Sequence, residues 1–183
     1  RWYAQAGTPL LDVDSHYADG NFTLTFRQQQ PATRDQAEKL PLVIPVALAL
    51  VGEHGLLPLN AQGDTETLLV VDQAEQSFSF KVAERPVPSL LRGFSAPVEL
   101  RHAYSEADLA RLLAHDTDGY CRWDAAQRLY LAAIERILAE PERATVQREA
   151  AQLLPLVRKV LAESARDPAE AALLLSLPSE TLV

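Results

Sequence analysis

One group of residues has side chains that could ligate a metal ion. Asp12, Asp14 and His16 alternate along one segment, and alternate residues of a β-strand face the same side of the sheet. Two carboxylates and an imidazole on one strand face are acceptable ligands for a divalent cation. However, Leu11 and Val13 alternate with them, and this pattern is typical of a half-buried strand with one solvent-exposed face. We favour this second interpretation and assign no metal ligand.

A short acidic segment, Asp116-Thr117-Asp118-Gly119, resembles part of a calcium-binding loop because its two carboxylates alternate. An EF-hand loop continues with a further ligand at the next alternate position and a bidentate glutamate at the twelfth. Here Tyr120 takes the next position, and no glutamate stands at the twelfth. We therefore interpret the segment as a connection between two helices, in which Asp118 caps the second helix.

The single cysteine, Cys121, could act as a nucleophile if a histidine served as its base. His115 and His102 are the candidates for that base. The helical pattern places Cys121 on the first turn of an amphipathic helix, in surroundings that match no catalytic signature. We interpret it as a buried thiol with a structural role.

The signature motifs of hydrolases and nucleotide-binding enzymes are missing from the sequence. It contains no Gly-rich phosphate loop, no G-x-S-x-G and no H-E-x-x-H. The closest histidine pair, His102 and His115, is 13 residues apart, whereas a zinc-binding helix needs two histidines one turn apart. We predict no catalytic, cofactor-binding or metal-binding residue in this chain, which would then not be an enzyme by itself.

Composition excludes two classes of partner. The chain has 17 Lys and Arg against 25 Asp and Glu, a net charge of −8, and both halves are acidic. Nucleic-acid binding needs clustered basic residues, which neither half supplies. The longest apolar segment, Leu40–Val51, is interrupted by Pro41 and Pro45 and is too short to span a membrane. One cysteine excludes an internal disulfide and fits a reducing compartment, so we expect a cytoplasmic protein.

Residues 1–102 have the pattern of an antiparallel β-sandwich. They hold 8 of the 12 prolines and 6 of the 7 glycines, which typically mark turns. Apolar residues alternate on both sides of Ala18-Asp19-Gly20-Asn21, which predicts a hairpin. A second strand pair is predicted from Leu42–Val51 and Leu56–Leu59. Further short apolar segments lie at Leu68–Val71, Phe78–Val82 and Val98–Leu100. Six or seven short strands at this spacing favour a sandwich.

Residues 103–183 have the pattern of an all-helical array and include 17 alanines. Ser105 and Asp108 resemble a capping box at the start of the first helix. Thr145 is predicted to cap a later helix, in which Pro155 should produce a kink. Asp167-Pro168 predicts the start of a short helix that extends to Leu177.

One helix face in this half is predicted to be buried. Its residues have helical spacing and are Trp123, Tyr130, Ile134 and Ile137. We expect this face to pack against the helix between Val146 and Leu161. If Trp123 is buried, its truncation to Ala should cost about 3 to 5 kcal/mol.

The sequence has features of a segment cut from a longer protein. It begins Arg-Trp-Tyr and contains no methionine, so no translation start or secretory signal is visible. A further helix is predicted to start at Pro178-Ser179-Glu180, only a few residues before Val183. We expect the chain to be part of a longer polypeptide.

Four segments of the chain are long and specific enough to indicate a family. They are R-W-Y-A-Q-A-G-T-P at residues 1–9, Q-Q-P-A-T-R-D-Q-A-E-K-L-P-L-V-I-P at Gln29–Pro45, P-V-P-S-L-L-R-G-F-S-A-P-V at Pro86–Val98 and A-H-D-T-D-G-Y-C-R-W-D-A-A-Q at Ala114–Gln127. Together they resemble the middle of the bacterial aminopeptidase N family, the alanyl aminopeptidase type of zinc gluzincin. The resemblance covers essentially the whole chain.

The resemblance implies a fold of two segregated modules. In that family a β-rich domain and a thermolysin-like catalytic domain come first, followed by a small immunoglobulin-like sandwich and a large helical domain. Residues 1–102 would be the sandwich, and residues 103–183 would be the first helices of a truncated C-terminal helical domain. The family's zinc ligands and catalytic glutamate lie in H-E-x-x-H and a later glutamate, upstream of this region. No catalytic or metal residue is therefore carried over.

The function implied by the resemblance is that of a spacer. The parent would use zinc-activated water to release N-terminal residues from peptides, and this segment would pack its catalytic domain against its helical domain. Zinc and peptides are thus expected only through the parent chain. One alternative is an autonomous immunoglobulin-like binding module with a helical appendage. Another is a hydrolase with a site that these motifs do not reveal.

Overall fold

The computed structural model describes residues 2–34 and 36–179. The chain forms two compact units, Arg1–Tyr104 and Ser105–Val183. The first contains seven β-strands and the second four α-helices, among the residues described. The predicted fold class, an immunoglobulin-like sandwich followed by a helical array, is confirmed.

Two sheets form the first unit. The strands are β1 (Leu10–Ala18), β2 (Asn21–Gln29), β3 (Ile44–Val51), β4 (Glu66–Val71), β5 (Glu75–Lys81), β6 (Val87–Leu90) and β7 (Glu99–His102). A four-stranded sheet has the order β5-β2-β1-β7, and a three-stranded sheet has the order β4-β3-β6. Apolar side chains from both sheets form one buried core, which includes Leu11, Phe22, Phe26, Ile44 and Leu48.

The first predicted hairpin is confirmed. β1 and β2 pair antiparallel from Leu10 opposite Gln29 to Ala18 opposite Asn21. Asp19 and Gly20 form the turn, and both have left-handed backbones, with φ of 50° and 73°. This geometry matches the right-handed twist of the two strands, and Asp and Gly are among the residues that adopt it most readily.

The second predicted strand pair is wrong. β3 pairs antiparallel with β4 and β6, whereas Leu56 forms only an isolated bridge to Val51. Pro58 cannot donate a ladder hydrogen bond. The Asn60 side chain then accepts hydrogen bonds from the amides of Gln62 and Asp64 and starts another turn. The next strand along the chain that pairs with β3 is therefore β4.

The sandwich is also not purely antiparallel. β7 pairs parallel to β1, with Leu10 opposite Glu99 and Val13 opposite His102. Parallel neighbours require a crossover connection, and here β7 follows a strand of the opposite sheet. Alternating side chains alone do not reveal strand direction, which is why the sequence pattern could not predict it.

The helices of the second unit are α1 (Glu106–His115), α2 (Gly119–Ala139), α3 (Arg143–Glu163) and α4 (Pro168–Leu174). The capping box is confirmed, since the Asp108 amide donates to Ser105 Oγ and the Ser105 amide to Asp108 Oδ2, both at 3.1 Å. Asp118 and Asp167 cap α2 and α4 as predicted, each accepting a backbone hydrogen bond of 2.9 Å.

Other helix boundaries differ from the prediction. Glu142, not Thr145, is the N-cap of α3, and Thr145 lies buried within its first turn. Pro155 lies inside α3, as predicted, and the kink expected there stays a prediction. The last described helix ends at Leu174 instead of Leu177. The further helix expected at Pro178-Ser179-Glu180 falls on residues that lie partly outside the described part of the chain.

The predicted buried face of α2 is wrong at Trp123. Trp123 is 38% exposed, whereas Tyr130 is 5% exposed, and Ile134 and Ile137 are only half-buried. The face that packs inward carries small residues as well as large ones. It consists of Cys121, Arg122, Ala125, Ala126, Leu129, Tyr130 and Ala133. Its main neighbour is α1 instead of α3. The predicted stripe of large apolar residues therefore follows the edge of the buried face. The centre of that face consists of alanines and an arginine.

Candidate functional site

The first candidate, the polar face of β1, is built from cross-strand pairs. Asp14 forms an ion pair with Arg27 of β2, and Arg27 Nε also donates to Glu75 Oε2 of β5 at 2.7 Å. These hydrogen bonds, first the one that Arg27 donates to Asp14 and then the one that it donates to Glu75, raise the pKa of Arg27. Asp12 accepts a hydrogen bond of 3.3 Å from Gln29. The Asp14 carboxylate is therefore occupied by a cation of the protein itself.

The same face of the four-stranded sheet continues with hydroxyl pairs. The Thr23 and Ser79 oxygens lie 2.9 Å apart, as do those of Thr25 and Ser77. Ser77, Ser79 and His16 are exposed, whereas Thr23 and Thr25 are half-buried. Within the described residues, no group of three or more His, Cys, Asp or Glu could hold a metal ion. The geometry favours a solvated strand face with side-chain pairs across the strands.

Residues 116–119 connect two helices. Asp116 is the C-cap of α1, and its Oδ1 accepts from the amides of Thr117 at 2.6 Å and Asp118 at 3.1 Å. The Asp118 side chain turns to the start of α2, where it accepts from the Cys121 amide. The two carboxylates are thus directed at backbone amides of their own segment, as expected for a helix connection.

Cys121 and the two histidines lie in different settings. Cys121 is 6% exposed on the first turn of α2, which agrees with its interpretation as a buried thiol. His102 belongs to the first unit, where its Nδ1 lies 2.7 Å from the Val13 oxygen and its ring meets the Tyr104 ring edge-on at 4.4 Å. His115 is the last residue of α1.

The sequence analysis missed a buried arginine that joins the helices of the second unit. The Arg122 side chain is 11% exposed. Its Nε donates to the Leu113 carbonyl of α1 at 3.1 Å, its Nη2 to Glu163 of α3 at 2.9 Å and its Nη1 to Glu170 of α4 at 3.0 Å. A cavity of about 440 Å³ adjoins these groups. A buried guanidinium that keeps three partners is a structural tie between helices.

A second network joins α1, α2 and α3. Glu149 of α3 has a side chain that is 3% exposed. Its Oε2 accepts from Arg136 Nη2 of α2 at 2.7 Å and its Oε1 from Arg148 Nε at 3.2 Å. The hydrogen bond from Arg136, followed by that from Arg148, lowers the pKa of Glu149 despite its burial. Arg136 also pairs with Glu106 of α1, so one guanidinium spans three helices.

The outward side of the three-stranded sheet differs from that of the four-stranded sheet. We call Pro45, Ala47, Leu68 and Val70 the apolar sheet face. These residues alternate with the core residues of β3 and β4, and Pro45 lies opposite Val70 and Ala47 opposite Leu68. Leu68 is 59% and Val70 46% exposed. The next outward residue of β4, Glu66, lies opposite Ala49 and forms an ion pair with Arg92.

A turn with unusual backbone geometry adjoins the apolar sheet face. Leu91, Gly93 and Phe94 all have left-handed backbones, with φ of 57°, 59° and 54°. The Ala47 amide donates to Ser95 Oγ at 3.0 Å, which fixes the end of this turn beside β3. Phe94 is 53% exposed. Arg92, in contrast, is buried and donates to Ser89 Oγ and Glu66 Oε1 at 3.0 and 2.7 Å.

Comparison with known proteins places these observations in a family. Residues 7–103 match the model described as "Domain of unknown function (DUF3458) Ig-like fold". The chain belongs to the DUF3458 family. Residues 106–183 match the companion model, "Domain of unknown function (DUF3458_C) ARM repeats".

Relatives of this DUF3458 chain confirm the resemblance to aminopeptidase N. It is 41% identical over 184 residues to aminopeptidase N of Escherichia coli (strain K12), covering 98% of this chain and 21% of that protein. Identity is 35% over 186 residues to aminopeptidase N of Haemophilus influenzae, covering 98% and 21%. For the Caulobacter vibrioides aminopeptidase N it is 39% over 183 residues, covering 98% and 20%.

One solved structure is similar to this chain over nearly its whole length. The crystal structure of Legionella pneumophila aminopeptidase A in complex with aspartic acid matches with a TM-score of 0.72 and 28% identity. The match covers 97% of this chain and 19% of that one. The DUF3458 chain thus spans about a fifth of the aminopeptidases that it matches. Its sequence contains no H-E-x-x-H.

Throughout residues 2–34 and 36–179, no helix is both long and apolar enough to cross a membrane.

Proposed function

We propose that this chain is the non-catalytic middle segment of a zinc aminopeptidase that releases N-terminal residues from peptides. The observation that carries the proposal is the match of 98% of the chain, at 41% identity, to a segment of one aminopeptidase N. Residues 1–102 would be its immunoglobulin-like domain, and residues 103–183 would be the first helices of its C-terminal helical domain.

The role proposed for the segment is to pack the catalytic domain of the parent against the helical domain. Two features support this role. The chain contains two compact units, and buried charge networks tie together the helices of the second unit. A scaffold of this kind needs defined internal geometry and no reactive groups of its own. Its partners would be other parts of the same polypeptide, in the cytoplasm, and peptides would bind only through the parent.

The zinc of the parent would be held outside this chain. The residues here do not fit it, because no H-E-x-x-H occurs in the sequence and the described residues include no suitable cluster of ligands. The candidate trio on β1 is a poor substitute, since Asp14 is paired with Arg27. Gluzincin chemistry also needs a glutamate placed as general base beside the metal.

Two preparations test the proposal, the full-length gene product and the 183-residue chain. We expect the full-length protein to hydrolyse alanine p-nitroanilide, to lose this activity with a chelator and to regain it with zinc. We expect the 183-residue chain to bind no stoichiometric zinc at micromolar metal and to give no hydrolysis above the buffer blank.

A matched pair of variants makes the metal test sharper. Asp14→Asn and Ser79→Ala both alter the exposed side of the same sheet, and neither should change the zinc content of the 183-residue chain. Hydrolysis that copurifies with this chain through two columns and disappears on chelation would contradict the proposal. Loss of bound zinc only in Asp14→Asn would show a metal site on β1.

A further inference from the structure

The edge strand β5 is suited to pairing with a further strand. β5 and β7 end the four-stranded sheet, β4 and β6 end the three-stranded sheet, and β5 is the longest of these four strands, at seven residues. Edge strands usually avoid further pairing through proline, a bulge or an inward-pointing charge. Glu75–Lys81 contains no proline and pairs with β2 without a bulge. Its inward residues, Gln76, Phe78 and Phe80, are uncharged, and its two charged residues stand at its two ends.

The hydrogen bonds between β2 and β5 fix which backbone groups face the open edge. In an antiparallel pair, residues that exchange hydrogen bonds with the partner strand alternate with residues whose amide and carbonyl point the other way. The Gln28 amide donates to the Ala74 carbonyl at 3.0 Å, and the Val82 amide donates to the Gly20 carbonyl at 2.9 Å. The even-numbered residues of β5 are therefore the bonded ones. The backbone groups directed to the open edge belong to Glu75, Ser77, Ser79 and Lys81.

The side chains of the same four residues form a self-complementary row. All four are exposed, with an acid at one end, a lysine at the other and two serines between. If a second copy of β5 lies antiparallel with Phe78 opposite Phe78, then Glu75 lies opposite Lys81 and Ser77 opposite Ser79, each twice. Opposite charges directly across two strands stabilise a pair, and like charges destabilise it. A parallel pair in register would place Glu75 opposite Glu75, so the charges select the antiparallel arrangement.

Backbone hydrogen bonding selects the same register. Two strands can exchange hydrogen bonds only where both opposed residues have groups at the open edge. Glu75 opposite Lys81 and Ser77 opposite Ser79 satisfy this condition. A shift by one residue would place each of these residues opposite one that is already bonded to β2, and a shift by two would leave Glu75 and Lys81 without an opposite charge. One register therefore satisfies both the backbone and the charges.

The charges already present on this side of the sheet are compatible with a second copy. Glu75 is 61% exposed and accepts from Arg27 Nε at 2.7 Å. Arg27 in turn pairs with Asp14. Lys81 of a second copy would extend this alternating row of anion, cation and anion by one more cation.

The ends and the centre of β5 are also compatible with such a pair. Asp72 and Glu84 lie outside the strand, and the Glu84 carboxylate accepts from the Glu53 amide at 3.0 Å. At the centre, Phe78 packs edge-on against Phe26 with ring centroids 5.8 Å apart, and it is half-buried. The central pair, Phe78 opposite Phe78, would be of the non-hydrogen-bonded type, in which side chains lie closest. Each ring would therefore cover part of the other.

We propose that two copies of this chain associate edge to edge through β5, in antiparallel register about Phe78, and join their four-stranded sheets into one sheet of eight strands. The association should be weak, because one strand edge buries less than the roughly 800 Å² per partner of a standard interface. The inference goes beyond the proposed function and does not depend on it, since only β5 and its neighbours in the sheet carry it.

Charge reversal in the full-length gene product tests the inference. Glu75→Lys leaves only cations at the ends of β5, and Lys81→Glu leaves only anions. Sedimentation velocity is measured up to about 0.2 mM, because an interface below the standard size binds weakly. We expect the unsubstituted protein to dimerise and either reversal to raise the dissociation constant at least about tenfold, since symmetry repeats each repulsive pair twice. Asp12→Lys is the matched control, because it changes the net charge equally on the same side of the sheet, two strands away.

Mixing the two reversed variants tests the register. Each copy of Glu75→Lys then offers cations to the anions of a Lys81→Glu copy, so an equimolar mixture should regain the affinity of the unsubstituted protein. No dimer of the unsubstituted protein at any concentration would overturn the inference. A dimer that neither reversal weakens, or that Asp12→Lys weakens equally, would lie on another surface and would also overturn it, as would failure of the mixture to recover.

A backbone variant keeps the test decisive if a charge reversal fails to fold. Ser77→Pro removes an amide that faces the open edge, a position at which proline is tolerated in edge strands. Ser77→Ala keeps that amide, and both substitutions lose the contact with the Thr25 hydroxyl. Circular dichroism establishes that both variants are folded. We expect Ser77→Pro to abolish the dimer and Ser77→Ala to retain it, and equal dissociation constants for the two variants would contradict pairing through β5.

Discussion

Replacing Arg122 with methionine should destabilise the helical unit strongly. The guanidinium is nearly buried and donates to the Leu113 carbonyl, to Glu163 and to Glu170. Methionine keeps most of the aliphatic stem but offers no donor. The substitution would leave one carbonyl and two carboxylates without this partner.

The size of the effect follows from the exposure of those partners. Breaking a fully buried ion pair costs about 3 to 5 kcal/mol, and a buried acceptor that loses its donor costs about 1 to 3 kcal/mol. Glu163 and Glu170 are 37% and 31% exposed, so water can solvate both carboxylates after the substitution and the cost of the ion pairs is reduced. We expect a loss of about 2 to 4 kcal/mol from the free energy of unfolding.

Arg128→Met is the matched control on the same helix. Arg128 pairs with Asp124 one turn away at 2.8 Å, and both side chains are about one-third exposed. Such pairs contribute about 0 to 1 kcal/mol. Urea unfolding followed by circular dichroism at the helix band, which reports on the helical unit, gives both values. Equal losses for the two variants would refute the assignment of Arg122 as the tie between the helices.

Two further predictions concern the helical unit. Tyr130→Ala should cost about 3 to 5 kcal/mol because Tyr130 is buried and its hydroxyl donates to the Leu174 carbonyl at 2.9 Å. Trp123→Ala should cost about 1 to 2 kcal/mol in the same urea experiment because its ring is only partly buried. If Trp123→Ala cost more than Tyr130→Ala, the helix register would be contradicted. Glu149 has a folded pKa below its usual 4.5, so its stabilising contribution is complete above pH 4.5 and is lost as the pH falls through the lower folded pKa. Melting curves at pH 7 and below pH 4.5 should therefore show a smaller acid loss in Glu149→Gln than in the unsubstituted chain, and equal losses would contradict this role.

Features set by neighbouring residues could be predicted from the sequence. The capping box at Ser105 and the caps at Asp118 and Asp167 each depend on a side chain and an amide three residues later. The first hairpin depends on a two-residue turn, Asp19-Gly20, whose residue types favour its backbone geometry. In both cases the chemistry that fixes the structure lies within one short window of sequence.

Pairings between distant segments could not be predicted in the same way. β3 has its partners in β4 and β6, not in the apolar segment that follows it. Arg122 meets Glu163 and Glu170, which lie 41 and 48 residues further along. Nothing local distinguishes this arginine from Arg128 and Arg136, the half-buried arginines of α2. Helical periodicity also gave Trp123 too much importance, because it counts large apolar residues and overlooks the alanines that allow helices to approach closely.

Two buried charges of the helical unit, Glu149 and Arg122, have the opposite character to catalytic groups. A general base works best with a pKa near the working pH, and burial without a partner is the usual way to raise a carboxylate toward that value. Glu149 is buried, but its pKa moves downward because Arg136 and Arg148 hold the charged form. The Arg122 guanidinium likewise has its donors committed to α1, α3 and α4. Charges fixed in this way hold helices in position, which is what a segment must do if the chemistry takes place elsewhere in its polypeptide.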